Sequence, residues 1–360
     1  MSKRKLNRRQ QWRIEKIQAE KTARAEKRET VISEQVSAGE LGAEQTGLVI
    51  AHFGQTVEVE RLSNINSDGS AGNSSNDESN GTGGNVRCFV RANLDSLVTG
   101  DQVVWRAGND GTGVIEARLD RSTLLQRPDN YGLLKPVAAN IDRIVVVVAT
   151  EPTPYANLVD RYLVAAETLG IRPAILFNKS DLIDDENRVT IDTLCQTYLD
   201  LGYEVLKTSA NDTEHCEASL LEWLKDYTSV FVGQSGVGKS SLIRSILGDQ
   251  SIKIGPLSEH SRKGTHTTTT ARLFHLPGGG RLVDSPGIRE FGLWHIDEHD
   301  LLEGFIEFRP FIGYCKFRDC KHEQEPGCAI KEAFENEQIS PLRMESFLRI
   351  RATLDDIDTY

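Results

Sequence analysis

An eight-residue run, Gly233-Gln-Ser-Gly-Val-Gly-Lys-Ser240, has the residue types and spacing of a phosphate-binding loop. Its glycines let the backbone curve around a phosphate chain with the N–H groups pointing inward. Lys239 would reach the outer two phosphates of a nucleoside triphosphate, and Ser240 would ligate Mg²⁺. An apolar strand precedes the run and a predicted helix follows it, as this chemistry requires. The residues expected to bind the phosphates are Val232, Gly233, Gln234, Ser235, Gly236, Val237, Gly238, Lys239 and Ser240.

A second motif, Asn178-Lys-Ser-Asp181, follows another apolar strand and predicts which base is bound. The Asp181 carboxylate can accept two hydrogen bonds from N1–H and the exocyclic amine of guanine, whereas adenine presents an acceptor at N1. We expect Asn178 to contact the other edge of the base and the stem of Lys179 to cover its face, with Ser180 in the same site. Ser209 and Ala210 would support guanine O6. Together the motifs predict a GTP hydrolase that forms GDP and phosphate.

The segment Asp284-Ser-Pro-Gly287 fits the pattern D-x-x-G and follows a short predicted strand. In this pattern the aspartate holds Mg²⁺ through water and the glycine N–H senses the γ-phosphate. A threonine-rich loop between residues 264 and 270 can complete the magnesium shell, and Thr268 is the preferred ligand, with Thr267 as the alternative.

The residue that activates water is harder to assign. Ile288 follows the D-x-x-G pattern, and because an aliphatic side chain cannot orient water, intrinsic turnover should be slow. His266, in the threonine-rich loop, is the candidate catalytic residue. The alternative is that His266 contacts RNA or only shapes the loop.

Three thiols and one imidazole lie within fourteen residues, in the pattern Cys315-x4-Cys320-x-His322-x5-Cys328. Four soft or borderline ligands without an open position are typical of tetrahedral, structural Zn²⁺. Pro326-Gly327 would provide the turn that returns Cys328 to the metal. Neighbouring helices are expected at Asp300–Phe308 and Ile330–Glu335, with one zinc ion per chain stabilising them.

Two kinds of periodicity predict the elements that position these motifs. Strands expected at Gly47–Glu60, Val86–Ala92, Asp101–Ala107 and Val114–Arg118 suggest a small barrel of the oligonucleotide-binding type. Residues 63–85 interrupt it, and since 17 of these 23 residues are Ser, Asn or Gly, we expect a disordered insertion. From Ile141 onward, strands alternate with helices, the last before the phosphate loop at Ser219–Tyr227, which indicates a mostly parallel sheet covered on both faces.

Charge is distributed unevenly along the 360 residues. Residues 1–30 hold eleven Lys or Arg against four Glu, a net charge of +7. Because the whole chain has a formal net charge of −11, the remaining residues together carry −18. An acidic globule with a basic arm should bind a polyanion through the arm. The longest apolar run, Ile144–Ala149, is far shorter than a membrane span, and no signal peptide is apparent. We therefore expect a cytoplasmic protein, monomeric and without a membrane partner.

The order of the motifs is unusual, because the guanine motif precedes the phosphate loop, as in a circularly permuted domain. With the cysteine cluster, the Arg127-Pro128 pair and the Ala138–Asp142 entry, the chain resembles the circularly permuted, ribosome small-subunit-dependent GTPases, the RsgA family. The resemblance covers residues 45–345. It implies an oligonucleotide-binding (OB) barrel, a central P-loop GTPase domain and a C-terminal helical zinc-binding domain in a multidomain α/β chain. It also implies binding to the small ribosomal subunit and its rRNA during late maturation, with hydrolysis stimulated by the subunit.

The expected domains are a basic arm and linker (1–45), the barrel (46–125), the GTPase domain (126–295) and the zinc-binding domain (296–360). Two other functions are compatible with parts of the sequence. One is a signalling GTPase that acts on a protein effector, against which the basic arm and barrel count. The other is an RNA-binding module with a decayed nucleotide site, against which the intact Asp181, Lys239, Ser240 and Asp284 count.

Overall fold

A computed structural model describes residues 41–54, 56–62, 84–91, 94–129, 133–209, 213–248, 271–285 and 296–357. The chain divides into two compact units, Met1–Arg121 and Ser122–Tyr360. The predicted basic arm, through residue 40, and residues 63–83 of the predicted insertion lie outside the described residues. Within the described part of the chain, no helix is long and apolar enough to cross a membrane.

The first unit is a five-stranded barrel of mixed strand direction. Neighbouring strands follow the order β1-β2-β3-β5-β4, and β4 pairs with β1 to close the barrel; all pairs are antiparallel except β3 with β5. The strands are β1 (Leu41–Phe53), β2 (Thr56–Arg61), β3 (Val86–Val90), β4 (Gln102–Gly108) and β5 (Gly113–Arg118). This arrangement confirms the predicted OB-like barrel.

Alternating side chains of these strands fill the barrel interior, as the period of two requires. Trp105 is fully buried at the centre and packs with apolar residues from every strand. At one end, the buried Asp101 accepts hydrogen bonds from Arg121 at 2.7 and 2.8 Å and from the Val98 backbone at 2.8 Å, so this carboxylate fixes the loop before β4.

The second unit contains a six-stranded sheet in the order β10-β9-β8-β11-β13-β12, parallel except for β12, which runs antiparallel to β13. Every residue of Arg143–Ala149 is buried, and its run of valines suits a central strand covered on both faces. A hairpin of β6 and β7 precedes the sheet. The strands are β6 (Leu124–Pro128), β7 (Leu134–Ala139), β8 (Arg143–Ala149), β9 (Arg172–Asn178), β10 (Glu204–Lys207), β11 (Thr228–Val232), β12 (Arg272–His275) and β13 (Arg281–Asp284).

Helices connect and cover this sheet. In the described residues they are α1 (Ala156–Thr168), α2 (Arg188–Asp200), α3 (Thr213–Leu224), α4 (Lys239–Leu247), α5 (Glu298–Gly304), α6 (Ala329–Glu335) and α7 (Pro341–Ile357), with short 3₁₀ helices at Ser180–Leu182 and Ile306–Phe311. Leucines of α3 and α4 share a buried cluster with β8, β11 and β12. α1 packs on β8 and β9 and also contacts α5 and α7.

The C-terminal segment is helical and packs around three phenylalanines. Phe305, Phe308 and Phe347 are fully buried, with ring centroids 5.0 to 5.5 Å apart. α5 begins at a capping box, in which the Asp297 side chain accepts from the Asp300 backbone N–H at 2.8 Å. Together with the barrel and the sheet, this segment confirms the predicted multidomain α/β class.

Several predicted boundaries differ from the structure. The expected strand Gly47–Glu60 is two strands, because the chain turns at Gly54 (φ 66°) between β1 and β2. β1 begins at Leu41, before the expected start of this strand at Gly47, because it continues to pair with β4, where Arg106 bonds Glu44. The expected helix Asp300–Phe308 ends at Gly304 and continues as a 3₁₀ helix.

Candidate functional site

The strand order places a crevice next to the phosphate loop. From β8 the chain builds outward through β9 to β10, then returns to add β11 on the other side of β8. In open parallel sheets, ligands bind at the carboxyl ends of the strands where the order reverses in this way. The segments that leave β8, β9 and β11 at this edge are residues 150–155, 178–181 and 233–238.

The phosphate loop is held too tightly to accept side chains at two of its glycines. A Cβ on Gly233 would stand 2.2 Å from the carbonyl oxygen of Val147, and one on Gly238 would stand 2.3 Å from Nδ2 of Asn178. Both residues have positive φ, 137° and 96°. Val237 is buried in the core beneath the loop. The loop is thus fixed between β8 and the guanine motif, and its backbone is free to approach a phosphate chain.

Lys239 and Ser240 open helix α4 and are both mostly buried. The Lys239 ammonium donates to the carbonyl oxygens of Gly233 at 2.6 Å and Gln234 at 2.7 Å, so its charge is held across the loop. Because the first N–H groups of a helix have no partner within the helix, the start of α4 adds backbone donors to this positive charge. The arrangement suits a polyphosphate anion.

Asn178 and Lys179 connect the guanine motif to the phosphate loop. The Asn178 amide, at the buried end of β9, donates from Nδ2 to the carbonyl oxygen of Val237 at 2.9 Å. Lys179 has a left-handed backbone (φ 57°), and its ammonium donates to the carbonyls of Glu151 at 2.7 Å and Gly236 at 2.9 Å. The two motifs, far apart in sequence, are therefore joined by direct hydrogen bonds.

Asp181 is oriented by the segment that follows β10. The Ser209 hydroxyl donates to the Asp181 carboxylate, and the Ser180 backbone N–H donates to the carbonyl oxygen of Thr208 at 3.0 Å. Thr208 and Ser209 are buried, whereas Asp181 is exposed. The contact with Ser209 thus fixes the orientation of the exposed Asp181 carboxylate.

For the other predicted site residues, the structure gives the position in the fold or does not describe the residue. Asp284 is the last residue of β13, which lies beside β11, so it leaves the sheet at the same edge as the phosphate loop. Gln234 and Ser235 are exposed at the outer part of that loop. Four predicted site residues lie outside the described residues: Ala210, His266, Thr268 and Gly287.

The predicted metal ligands are brought together. The ligand atoms of Cys315, Cys320, His322 and Cys328 all lie within 4.8 Å of one another. Nδ1 of His322 is 3.5 Å from Sγ of Cys315 and 3.4 Å from Sγ of Cys328, and these two sulfurs are 3.9 Å apart. A tetrahedral zinc site has ligand separations of roughly 3.5 to 3.8 Å, as metal–ligand bonds of about 2.0 to 2.3 Å imply. The cluster can therefore hold one metal ion.

The protonation of the cluster follows from burial. Burial and the neighbouring sulfurs raise the pKa of the Cys320 thiol to about 12, and a bound cation would reverse that effect. Burial and the Arg351 guanidinium lower the pKa of His322, which favours the neutral imidazole that metals bind. The Lys331 backbone N–H also donates to Sγ of Cys328 at 3.4 Å, so α6 begins directly on a ligand sulfur.

Sequence reasoning missed the segment that follows β8. The Thr150 hydroxyl donates to the carbonyl oxygen of Lys179 at 2.9 Å, and the Glu151 carbonyl accepts from the Lys179 ammonium. Both residues therefore hold Lys179, in the guanine motif, from the segment after β8. Only the strand order could have found them, since the segment resembles no motif but leaves the sheet at the point where the order reverses.

Comparisons with known proteins agree with this arrangement. The family model of the RsgA GTPase matches residues 118–294. "Small ribosomal subunit biogenesis GTPase RsgA" of Hahella chejuensis is 56% identical over 360 residues, covering 100% of this chain and 99% of that protein. The protein of the same name from Marinobacter nauticus is 57% identical over 357 residues, covering 99% and 97%.

Two solved structures are also similar. YjeQ from Thermotoga maritima is 31% identical, with a TM-score of 0.66, and the match covers 87% of this chain and 99% of that one. YloQ, described as a circularly permuted GTPase, is 29% identical with a TM-score of 0.66, covering 87% and 96%.

The sheet, with its guanine motif on β9 and its phosphate loop only later on β11, defines a circularly permuted GTPase. The enzyme class is therefore GTP hydrolase. Identity above 50% over the whole chain narrows this further, and the protein belongs to the RsgA GTPase family.

Proposed function

We propose that this chain binds the small ribosomal subunit and its rRNA and acts in late maturation of that subunit, hydrolysing GTP to GDP and phosphate with stimulation by the subunit. The observation that supports the nucleotide part is the hydrogen bond from Asn178 to the Val237 carbonyl, which joins the proposed guanine motif to the proposed phosphate loop. The ribosomal part is supported by full-length relatives that are named small ribosomal subunit biogenesis GTPases.

Each residue of the pocket has a proposed role. Asp181 accepts from N1–H and the exocyclic amine of guanine, while Ser209 orients the carboxylate. Lys239 and the backbone of the phosphate loop neutralise the β- and γ-phosphates. Ser240, Thr268 and Asp284 (through water) would hold Mg²⁺, which supplies positive charge at the bond between the β- and γ-phosphates when it is bound. Gly287 would sense the γ-phosphate.

Water attacks the γ-phosphorus, and the bond between that phosphorus and the β–γ bridging oxygen breaks. GDP leaves with the electron pair of the broken bond, and the attacking water loses a proton to solvent as phosphate forms. His266 is proposed to orient the water. The test is the variant His266→Ala: turnover stimulated by the subunit should fall while GTP affinity stays unchanged. Full stimulated turnover in this variant would remove His266 from the mechanism.

The Cys3His cluster is proposed to hold structural Zn²⁺, one ion per chain. Three thiolates and an imidazole leave no open position for substrate, and their separations suit a tetrahedral ion. We propose that the ion stabilises the zinc-binding domain at 296–360, which follows the GTPase domain at 126–295 and the barrel at 46–125. The residues before the barrel, basic at 1–30, are proposed to bind rRNA. The protein is proposed to act as a monomer in the cytoplasm, where small subunits are assembled.

The decisive experiment is GTP hydrolysis with and without purified small ribosomal subunits, using ATP and large subunits as controls. We expect guanine-specific turnover that small subunits alone stimulate strongly. Lys239→Ala should abolish turnover with or without subunits, because it removes the charge that bridges the loop. Guanine-specific turnover without any stimulation would remove the ribosome from the proposal and leave a GTPase that acts on another effector.

A further inference from the structure

A cluster of buried charges joins the C-terminal segment to the nucleotide-binding fold. The side chain of Arg343, on α7, is fully buried and donates to Oδ1 of Asp160, on α1, at 2.5 Å. The same guanidinium makes a two-pronged contact with Glu307 at 2.6 and 3.0 Å and lies 4.2 Å from the ring centroid of Phe305. The Tyr198 hydroxyl, on α2, donates to the same Asp160 oxygen at 2.7 Å. Four elements therefore meet at one arginine.

The turn of α1 that carries Asp160 also borders the nucleotide pocket. Leu158, Val159 and Tyr162, on either side of Asp160, line a small cavity together with Gly233, Gln234 and Val237 of the phosphate loop. The segment that leads into α1 contains Glu151, whose carbonyl accepts from Lys179 of the guanine motif. Residues of this helical turn thus face the phosphate loop across the cavity, while Asp160 itself bonds Arg343.

Helix α7 continues this connection to the metal cluster. Arg351, two turns beyond Arg343 on the same helix, donates to the Lys321 carbonyl and to Glu323, on either side of the ligand His322. Lys321 in turn pairs with Glu298 of α5 at 2.8 Å. A displacement of α7 would therefore also displace the loop that contains the predicted metal ligands.

Stability alone does not account for a buried arginine at this place. Replacing a buried ion pair with apolar residues of similar volume is often neutral or stabilising, whereas the pair fixes one geometry between its elements. A more exposed pair also joins the C-terminal segment to α1: Arg309, on the 3₁₀ helix Ile306–Phe311, lies 2.8 Å from Glu167 of α1. Pairs of this exposed kind contribute little to stability and do not fix a geometry. The buried pair adds a fixed register of α7 on α1.

We propose that Arg343 is a positioning residue that couples guanine-nucleotide binding to the C-terminal, metal-binding segment through α1. A nucleotide that orders the phosphate loop and Lys179 restrains the helical turn around Asp160. This restraint is passed to α7 through the hydrogen bonds of the Arg343 guanidinium to Asp160 and Glu307. Coupling of this kind is reciprocal, so ordering of α7 favours nucleotide binding to the same extent. The inference rests on the proposed nucleotide site, and gives the zinc-binding domain a conformation that depends on the nucleotide.

The test is amide hydrogen exchange on the full-length, metal-loaded protein with and without saturating GDP. In the wild type, GDP should slow exchange in the phosphate loop and also in α7, there by about fivefold or more, the lower end of typical allosteric coupling. Arg343→Lys keeps the positive charge but cannot make the same set of hydrogen bonds to Asp160 and Glu307. In this variant GDP should still slow amide exchange in the phosphate loop, but it should slow exchange in α7 by less than about twofold. Asp160→Asn, which keeps the side-chain size, should behave in the same way and serves if the lysine variant does not fold.

Arg309→Ala is the control, because it breaks a more exposed ion pair between the C-terminal segment and α1 without touching α7, and it should leave the effect of GDP on α7 unchanged. Undiminished slowing of α7 in folded Arg343→Lys or Asp160→Asn would overturn the inference, as would a wild-type α7 that ignores GDP while the phosphate loop responds. If neither region responds, GDP does not bind and the proposed nucleotide site fails together with the inference. Subunit-stimulated turnover is not needed for any of these readings.

Discussion

Two glycines of the phosphate loop offer a matched test of how the pocket is assembled. Gly236 and Gly238 have similar positive φ values, 87° and 96°, so substitution by alanine strains the backbone to a similar extent at both. Their surroundings differ. A Cβ at Gly236 would meet only Cδ of Pro152 at 3.8 Å, an ordinary contact, whereas at Gly238 it would stand 2.3 Å from Nδ2 of Asn178.

The expected difference between the two variants follows from this contact. Gly238→Ala must displace the Asn178 amide, which is buried and donates to the Val237 carbonyl at 2.9 Å. Leaving a buried donor and acceptor unpaired costs about 1 to 3 kcal/mol. If this cost raises the free energy of the GDP-bound form relative to the free form, GDP should bind roughly 5- to 150-fold more weakly to Gly238→Ala than to Gly236→Ala.

The assay is titration with a fluorescent GDP analogue, with circular dichroism to confirm that both variants remain folded. The reasoning requires that Gly236→Ala lose clearly less affinity than Gly238→Ala. Equal losses would show that backbone strain alone, and not the contact with Asn178, decides the affinity. That result would refute the view that this amide holds the guanine motif and the phosphate loop together.

Three further predictions follow from single contacts. Asp181→Asn replaces one hydrogen-bond acceptor by a donor, so the affinity for GDP should fall by about 100-fold or more in competition assays. The affinity for xanthosine diphosphate, which has a carbonyl in place of the amine, should rise. A variant that still prefers guanine would contradict the role of Asp181. After loading with Zn²⁺, Cys328→Ser should carry no metal in elemental analysis and its α6 should loosen. Cys195→Ser, at a buried cysteine outside the cluster, should carry one ion per chain. Arg143→Met removes a buried guanidinium that bonds Glu204 and lies 3.8 Å from the ring centroid of Tyr227. The free energy of unfolding, measured in urea, should fall by about 2 kcal/mol, because the carboxylate of Glu204 that loses its partner is partly exposed. In the control Lys225→Ala, at an exposed ion pair, it should fall by less than about 0.5 kcal/mol.

The sequence predicted the places of its motifs in the fold better than the boundaries of the elements around them. The spacing of the Cys3His cluster was sufficient to bring its ligand atoms within 4.8 Å, because all four fall in one short loop region. The guanine motif and the phosphate loop could be assigned to the ends of β9 and β11, since each follows an obvious apolar strand. Motifs of this kind are local, and a local pattern is what a single sequence contains.

Elements that depend on distant partners were missed. The β6–β7 hairpin and the edge strand β12 are short, and α7 carries arginines that a sequence pattern assigns to solvent. Arg343 is buried only because Asp160 and Glu307, 183 and 36 residues away in sequence, provide carboxylates inside the fold. Likewise, the expected helix Ser219–Tyr227 begins earlier, at Thr213, and ends at Leu224, where its leucines pack on the sheet.

The spatial order of the strands, and not the order of the motifs along the chain, explains why Asn178 and Lys179 make the contacts they do. In the sheet, β9 and β11 are not neighbours, because β8 lies between them. The backbone ladder therefore fixes the guanine motif relative to the phosphate loop only through β8, and Asn178 and Lys179 bridge the remaining distance at the end of the strands. Both bridges end on backbone carbonyls, of Val237 and Gly236, so they depend on the path of the loop and not on its side chains. A chain that reaches β9 before β11 can build the same pocket as one that reaches them in the opposite order, provided that these two donors and that loop path are kept.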